Sequence, residues 1–421
     1  MRRFTFAFTL CLLLATVASA QDHTEVDAMV SRFQRYYNGK QNDSIYNMLS
    51  KRIQQLMPLD KVATTMGQLY MQMGELESYT YFKKEGKVDY YKVVFANVNL
   101  QMLASIDSEK KMDVFRFIPD KKEKKYIPEA GASDISVTRD GVVLSGTLTM
   151  PVTTAKVPVV LLIAGSGPTD RDGNNSTTLT GNSYRMLADS LRDNGIACVR
   201  YDKRGIGESI KGVKSQEEIG FEDYINDAIT FIDLLKKDSR FSGVIVAGHS
   251  EGSLVGMVAA QKTGIMKYIS IAGAGEPIDQ IIKWQLSKVS EDMGRRAGII
   301  MDSLKKGYDV QYIDNDLNVY FNSSIQPYLR SWIKFDPAKE IKKLKIPILI
   351  LQGENDLQVS MVQANLLRQA MPAAKFVTFR DMNHILKDAP YDKEGNRATY
   401  TNAELSLTPG FATAVISFIK K

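Results

Sequence analysis

Cysteine occurs twice and histidine three times in this chain of 421 residues. No sign of charge dominates either: 54 Lys and Arg stand against 48 Asp and Glu, for a formal net charge of +6. Long hydrophobic runs are also missing, apart from residues 4–17, which follow Arg2 and Arg3 and precede Ala18-Ser19-Ala20. That run is short for a membrane span, and its flanks are those of a secretory signal peptide over residues 1–20, cleaved before a polar mature start at Gln21. A periplasmic or secreted protein with no integral membrane segment after cleavage is therefore expected. Cys11 goes with the signal and lacks the small preceding residue of a lipoprotein site, so Cys198 stands alone and an intramolecular disulfide is excluded. An exported chain without disulfides fits a periplasm better than a disulfide-stapled extracellular scaffold. Losing Arg2 and Arg3 takes the net charge from +6 to +4. The remaining basic residues are scattered, and the run 121–125 is interrupted by Glu123, so neither nucleic acid nor an anionic surface is indicated as a partner.

The most informative stretch is 244–260, an apolar β-branched run, a Gly-rich turn, then a helix-like segment rich in small residues. Within it Gly248-His249-Ser250-Glu251-Gly252 matches G-x-S-x-G, in which a serine sits on a strained strand-to-helix turn and the glycines let strand and helix pass close to it. Ser250 is the candidate nucleophile.

Before this stretch, apolar residues recur at helical spacing over 25–73 and predict two or three amphipathic helices. Segments 77–82, 87–96, 98–105 and 111–117 then read as an antiparallel meander. Helices followed by strands make a small α+β domain over 21–118. Residues 119–131, Pro- and Lys-containing, read as a linker. A second domain spans 132–421. It opens with a hairpin turned at Arg139-Asp140-Gly141, after which apolar runs at 157–164, 197–201, 244–247, 268–272, 346–351 and 375–379 alternate with helical stretches. Such alternation predicts a mostly parallel sheet covered by helices on both faces. Residues 273–345 interrupt the rhythm and read as a helical cap over the carboxyl edge of the sheet.

Four motifs carry a family resemblance: Asp140 to Gly146 (D-G-x-x-L-x-G), the Gly165-Ser-Gly-Pro-Thr-Asp-Arg-Asp-Gly-Asn174 loop, Tyr201-Asp-Lys-Arg-Gly-Ile-Gly-Glu-Ser209, and the Ser250 elbow. Residues 132–421 resemble an α/β-hydrolase, similar to exported bacterial esterases related to serine aminopeptidases. The amino-terminal segment resembles a small domain of unassigned function that accompanies some of them. The resemblance implies an α/β-hydrolase fold, a mostly parallel sheet flanked by helices with a helical cap insertion, and a triad in the chain order Ser, acid, His. Of the three histidines, His23 lies near the mature terminus and His249 adjoins Ser250 with its side chain expected to point elsewhere, which leaves His384 as base. Asp356 follows a buried-type strand and a glycine turn where the family places its acid. Glu354, Asp381 and Asp388 are the less suitable neighbours. Two backbone amides should receive the oxyanion: Glu251, and from the family's usual turn Ser166, with Gly167 the alternative because Ala164 replaces a histidine common in relatives.

The activity expected is that of a serine-dependent carboxylic ester hydrolase, a carboxylesterase acting on small-molecule esters with short acyl chains through an acyl-enzyme on Ser250. A serine peptidase of the aminopeptidase-like type, or a non-catalytic envelope-binding protein on a hydrolase scaffold, are the alternatives. No cofactor and no metal are implied: Asp170, Arg171 and Asp172 read as loop-holding ion pairs. The insertion is expected to shape substrate choice; most of its aromatics should pack the cap onto the sheet, and Trp284, Tyr320 and Trp332 are the positions at which to probe the rest.

Overall fold

The computed structural model describes residues 24–96, 98–119, 130–175, 178–213 and 215–421. The signal peptide, His23 and most of the 119–131 linker lie outside the described residues. The chain divides into two compact units between Lys125 and Tyr126. Among the described residues no helix is long and apolar enough to cross a membrane.

Among its described residues the first unit has four helices rather than the two or three expected: α1 (Thr24–Asn38), α2 (Asn42–Met48), α3 (Lys51–Leu56) and α4 (Leu59–Met73). The periodic pattern runs on through breaks that only local chemistry reveals. Lys40 turns the chain with φ 53°, and Ser50 donates its amide to Met112 O at 2.9 Å while its hydroxyl caps α3 at Ile53 N. A sheet partner and an N-cap thus split one apparent helix into two. Strands β1 (Leu76–Glu85), β2 (Val88–Phe95), β3 (Asn99–Ile106) and β4 (Met112–Pro119) form an antiparallel sheet in sequence order. Met29, Val30, Phe33 and Tyr37, one face of α1, share a core with Tyr91, Val93 and Phe95 of β2, as the 3.6- and 2-residue periods require.

The second unit is built on an eight-stranded sheet of order β12-β11-β10-β9-β7-β8-β6-β5. β5 (Ala132–Arg139) and β6 (Val142–Thr149) form the hairpin, turned by Asp140 and Gly141 with φ 51° and 76°, the positive pair a two-residue turn demands. Parallel strands follow: β7 (Val157–Ile163), β8 (Ala197–Tyr201), β9 (Phe241–His249), β10 (Lys267–Ile271), β11 (Ile348–Gly353) and β12 (Lys375–Phe379). Helices α5 (Ser183–Arg192), α6 (Phe221–Lys237), α7 (Glu251–Thr263), α13 (Met361–Ala370) and α15 (Phe411–Lys420) cover it, dividing the apolar core into two clusters. The insertion supplies α8 (Ile278–Ser287), α9 (Glu291–Lys305), α10 (Asn318–Phe321), α11 (Gln326–Trp332) and α12 (Pro337–Ile341), and a short α14 (Lys393–Ala398) follows β12. The cap has its own core, from Ile278 to Ile333. It ends earlier than residue 345, because Ile341 and Leu344 pack into the core of the sheet.

This order positions the site. β8 lies on one side of β7 and β9 on the other, so the chain reverses direction across the sheet at β7. The crevice beyond the carboxyl ends of β7 and β9 is the switch point where open α/β sheets bind ligands. The Gly165 loop and the Ser250 elbow both emerge there.

Candidate active site

Ser250 has φ 53° and ψ −119° between β9 and α7, a conformation that costs a non-glycine residue about 1–3 kcal/mol and persists only where packing imposes it. The packing is visible. A Cβ on Gly248 would collide with the backbone of Gly252, and one on Gly252 with the carbonyl of Ile163. Helix α7 is buried almost all round, which explains its small residues. Ser250 is partly exposed at the crevice, and Glu251 opens the helix, so its amide sits at the positive end of the helix dipole.

Asp356 and His384 are brought together from loops 28 residues apart: His384 Nδ1 lies 2.7 Å from Asp356 Oδ2, and both side chains are buried. A carboxylate only accepts, so Nδ1 carries the proton and Nε2 is left with a lone pair. Asp356 is itself fixed, its Oδ1 accepting from the amides of Gln358 (2.7 Å) and Val359 (2.9 Å). The competing acids are elsewhere. Glu354 accepts from Thr378, Asp381 from Tyr391, and Asp388 is exposed.

Both ring nitrogens of His249 are engaged away from Ser250. Its ring lies against that of His384, centroids 4.7 Å apart, and its Nε2 donates to the backbone oxygen of His384 at 2.8 Å. Nδ1 must then accept, and takes the Tyr184 hydroxyl at 2.7 Å, while the same hydroxyl oxygen, Tyr184 Oη, accepts from Gly165 N at 3.2 Å. The residue before Ser250 therefore ties the His384 loop to the loop after β7. Sequence spacing gave no hint of it, because Tyr184 is 65 residues away. Burial, reinforced by the neighbouring His384, pushes the His249 imidazole down to about 3.

That shift has a stability consequence. Below the ordinary histidine value of about 6.5 the unfolded chain binds a proton that folded His249 refuses until about 3, so stability is present above pH 6.5 and is lost as pH falls toward 3. The slope from this group is at most about 1.4 kcal/mol per pH unit. His249→Asn should be less stable at pH 7 but fall less steeply between pH 6 and 4, as read by urea unfolding. Parallel curves for the two proteins would contradict it.

Several supporting residues escaped sequence reasoning. Asn355 Nδ2 donates to Ala389 O (2.7 Å) and Pro390 O (3.1 Å), and its amide to Met382 O (3.2 Å), so the Asp356 loop is bound to the His384 loop. Asn383 Oδ1 receives the amides of Ile385 and Lys387, both at 3.2 Å, and its Nδ2 reaches Thr399 at 2.7 Å. An Asn that closes a turn leaves a sequence signal only in company with its loop.

The Asp170–Asp172 loop is held as ion pairs and turns: Arg171 binds Asp202 and Glu208, Arg200 binds Asp172, and Asp170 Oδ1 accepts the amides of Asp172 and Asn174. In the Tyr201–Ser209 motif, Asp202 makes that bond and Arg204 grips buried Asp227 with two nitrogens. Ser166 and Gly167 are both exposed at the crevice, Gly167 with φ 74°. From the cap, the Tyr328 hydroxyl donates to Glu251 Oε2 at 2.7 Å and Gln285 Nε2 to Gln358 O at 3.0 Å. Trp332 stacks on Phe221 of α6 with centroids 5.2 Å apart and planes 7° from parallel, packing the cap onto the sheet's helices. Tyr320 is largely exposed, and Trp284 lines a groove between α8 and α9 with Gln280, Ser287 and Arg295.

Residues 179–387 match the family model described as serine aminopeptidase, S33, a span that contains Ser250, Asp356 and His384. The chain is 24% identical over 370 residues to the esterase EstD of Thermotoga maritima, covering 84% of this chain and 86% of the relative. That alignment is longer than the second unit alone. Among solved structures, Est1E of Butyrivibrio proteoclasticus with bound ferulic acid is similar at 18% identity and TM-score 0.45, over 68% of this chain and 96% of that one. The enol-lactonase of Burkholderia xenovorans LB400 is similar at 17% identity and TM-score 0.42, over 68% and 100%.

Proposed function

We propose that this chain, whose second unit has the fold of an α/β-hydrolase, is an exported serine carboxylesterase acting on short-chain acyl esters. The observation that carries the proposal is the 2.7 Å bond from His384 Nδ1 to Asp356, set beside an elbow whose serine is held at φ 53°. In this reading His384 Nε2 takes the Ser250 proton as the hydroxyl attacks the ester carbonyl. The tetrahedral oxygen is received by the amides of Glu251 and Ser166, and His384 passes the proton to the leaving alcohol. Water then attacks the acyl-enzyme with His384 again as base.

Ester rather than peptide hydrolysis is favoured by the fate of the carboxylates. A site for a peptide's terminal amine calls for a free acid near the nucleophile, whereas Glu251 is paired to Lys203 and Tyr328, and Asp356 to His384. Short acyl chains are favoured because the cap reaches the elbow through Tyr328 and limits the room for methylenes, each worth about 0.8 kcal/mol when buried.

A panel of acetyl, butyryl, octanoyl and palmitoyl esters beside aminoacyl amides tests this. We expect kcat/KM to be highest for the acetyl or butyryl ester, at least about tenfold lower for palmitoyl, and lower still for every amide. Such a drop corresponds to about 1.4 kcal/mol of transition-state stabilisation. Efficiency that rises to palmitoyl, or amides preferred over esters, would refute the substrate class.

A further inference from the structure

We propose that Lys203 is a positioning residue that sets both donors of the oxyanion hole with one buried ammonium, an inference that rests on Ser250 being the nucleophile. Lys203 follows β8 and is 3% exposed. Its Nζ donates to Gly165 O at 2.5 Å and pairs with Glu251 Oε1 at 3.2 Å, while the Tyr224 ring lies 5.1 Å from it. These partners belong to the two segments that meet at the crevice, the loop after β7 and the elbow.

The geometry of the peptide bond makes the first contact informative. Gly165 O and Ser166 N–H belong to one planar peptide, and no described peptide is cis, so the two groups point in opposite directions. Holding the oxygen on Lys203 fixes the Ser166 amide to face away from it. A cation on the carbonyl also draws electron density along the amide and makes the N–H a stronger donor. The peptide that carries the Gly167 N–H is held instead by a neutral donor, the Thr169 hydroxyl on Ser166 O at 3.1 Å, which favours Ser166 as the more strongly polarised donor of this loop. The second contact acts on the other side. Glu251 carries the other donor amide, and its side chain is clamped between Lys203 and the cap's Tyr328 hydroxyl. One ammonium thus fixes the relation between two amides that share no hydrogen bond in this structure's described contacts, and the cap reaches the same clamp. A buried ion pair adds little net stability over an apolar pair. What this one supplies is orientation.

The test uses the full chain and p-nitrophenyl butyrate, with phenylboronic acid as a tetrahedral mimic. Lys203→Met leaves Glu251 buried and unpaired and could fail to fold, so the deciding variant is Lys203→Met with Glu251→Gln, which leaves no unpaired charge. Removing an oxyanion donor outright costs about 10²- to 10³-fold, so losing its anchor is expected to lower kcat by about 30- to 100-fold, with KM within about threefold. Boronate affinity should weaken by the same factor as kcat/KM. Tyr328→Phe, which keeps both charges, should show the same parallel losses at about three- to tenfold. A folded double variant turning over within about threefold of wild type would overturn the proposal, as would lower kcat with unchanged boronate affinity in either variant. If wild type carries no fluorophosphonate adduct on Ser250, the serine reading itself fails and takes this one with it. An adduct with wild-type turnover in the variants sinks Lys203 alone.

Discussion

Replacing Ser250 or His384 by alanine is expected to lower kcat/KM for a soluble ester by about 10⁵- to 10⁶-fold while leaving the fold intact, with the melting temperature nearly unchanged for Ser250→Ala and lowered for His384→Ala, which strips the buried Asp356 carboxylate of its partner. Neither side chain alone has a mechanism. The Ser250 hydroxyl is a weak nucleophile until a base takes its proton, and His384 has nothing to activate once the hydroxyl is gone, so each single loss removes the pair. The double variant should therefore be no worse than either single one. Ser250→Ala also keeps its backbone in the positive-φ turn, because the restraint comes from Gly248 and Gly252 packed against neighbouring backbone rather than from the hydroxyl. Steady-state kinetics with thermal unfolding on the same samples checks both halves, and turnover within about a hundredfold of wild type by either variant would contradict the mechanism.

Asp356→Asn is expected to lower kcat by about 10⁴ with KM nearly unchanged. The asparagine oxygen can still accept the amides of Gln358 and Val359 that now bind Oδ1. That leaves the amide NH₂ facing His384 Nδ1, where the carboxylate oxygen stands at 2.7 Å. A donor there holds the ring with its proton on Nε2, the nitrogen that must accept from Ser250. The fold survives and the tautomer is wrong. Asp388→Asn, on an exposed residue, should stay within about twofold of wild type. A large loss there, with Asp356→Asn active, would reassign the acid.

The sheet was readable from the sequence because its strands are buried on both faces and written as continuous apolar runs, as in Val157–Ile163 and Ile348–Gly353. Ser250 was readable because the turn that strains it needs small neighbours at fixed offsets. The scarcity of histidine singled out His384. What could not be read are the contacts that chain order does not encode. That His249 lies on His384 was not readable, because only the fold brings Tyr184 to its other nitrogen. Asn355 and Asn383 look like ordinary loop residues until their carbonyl and hydroxyl partners are known. Lys203 sat inside a quoted motif without a role, since Gly165 and Glu251, 38 and 48 residues away, become its neighbours only across the switch point. Whether Trp332 faces the pocket or the core was not readable, because periodicity does not choose between them.

The central claim is that Ser250 becomes acylated. Incubating the protein with a fluorophosphonate and locating the adduct by peptide mass spectrometry tests it most directly. The account expects one adduct, on Ser250, formed in step with loss of esterase activity and formed at least about a hundredfold more slowly in His384→Ala. An adduct on another residue, or full loss of activity with Ser250 unmodified, would contradict it.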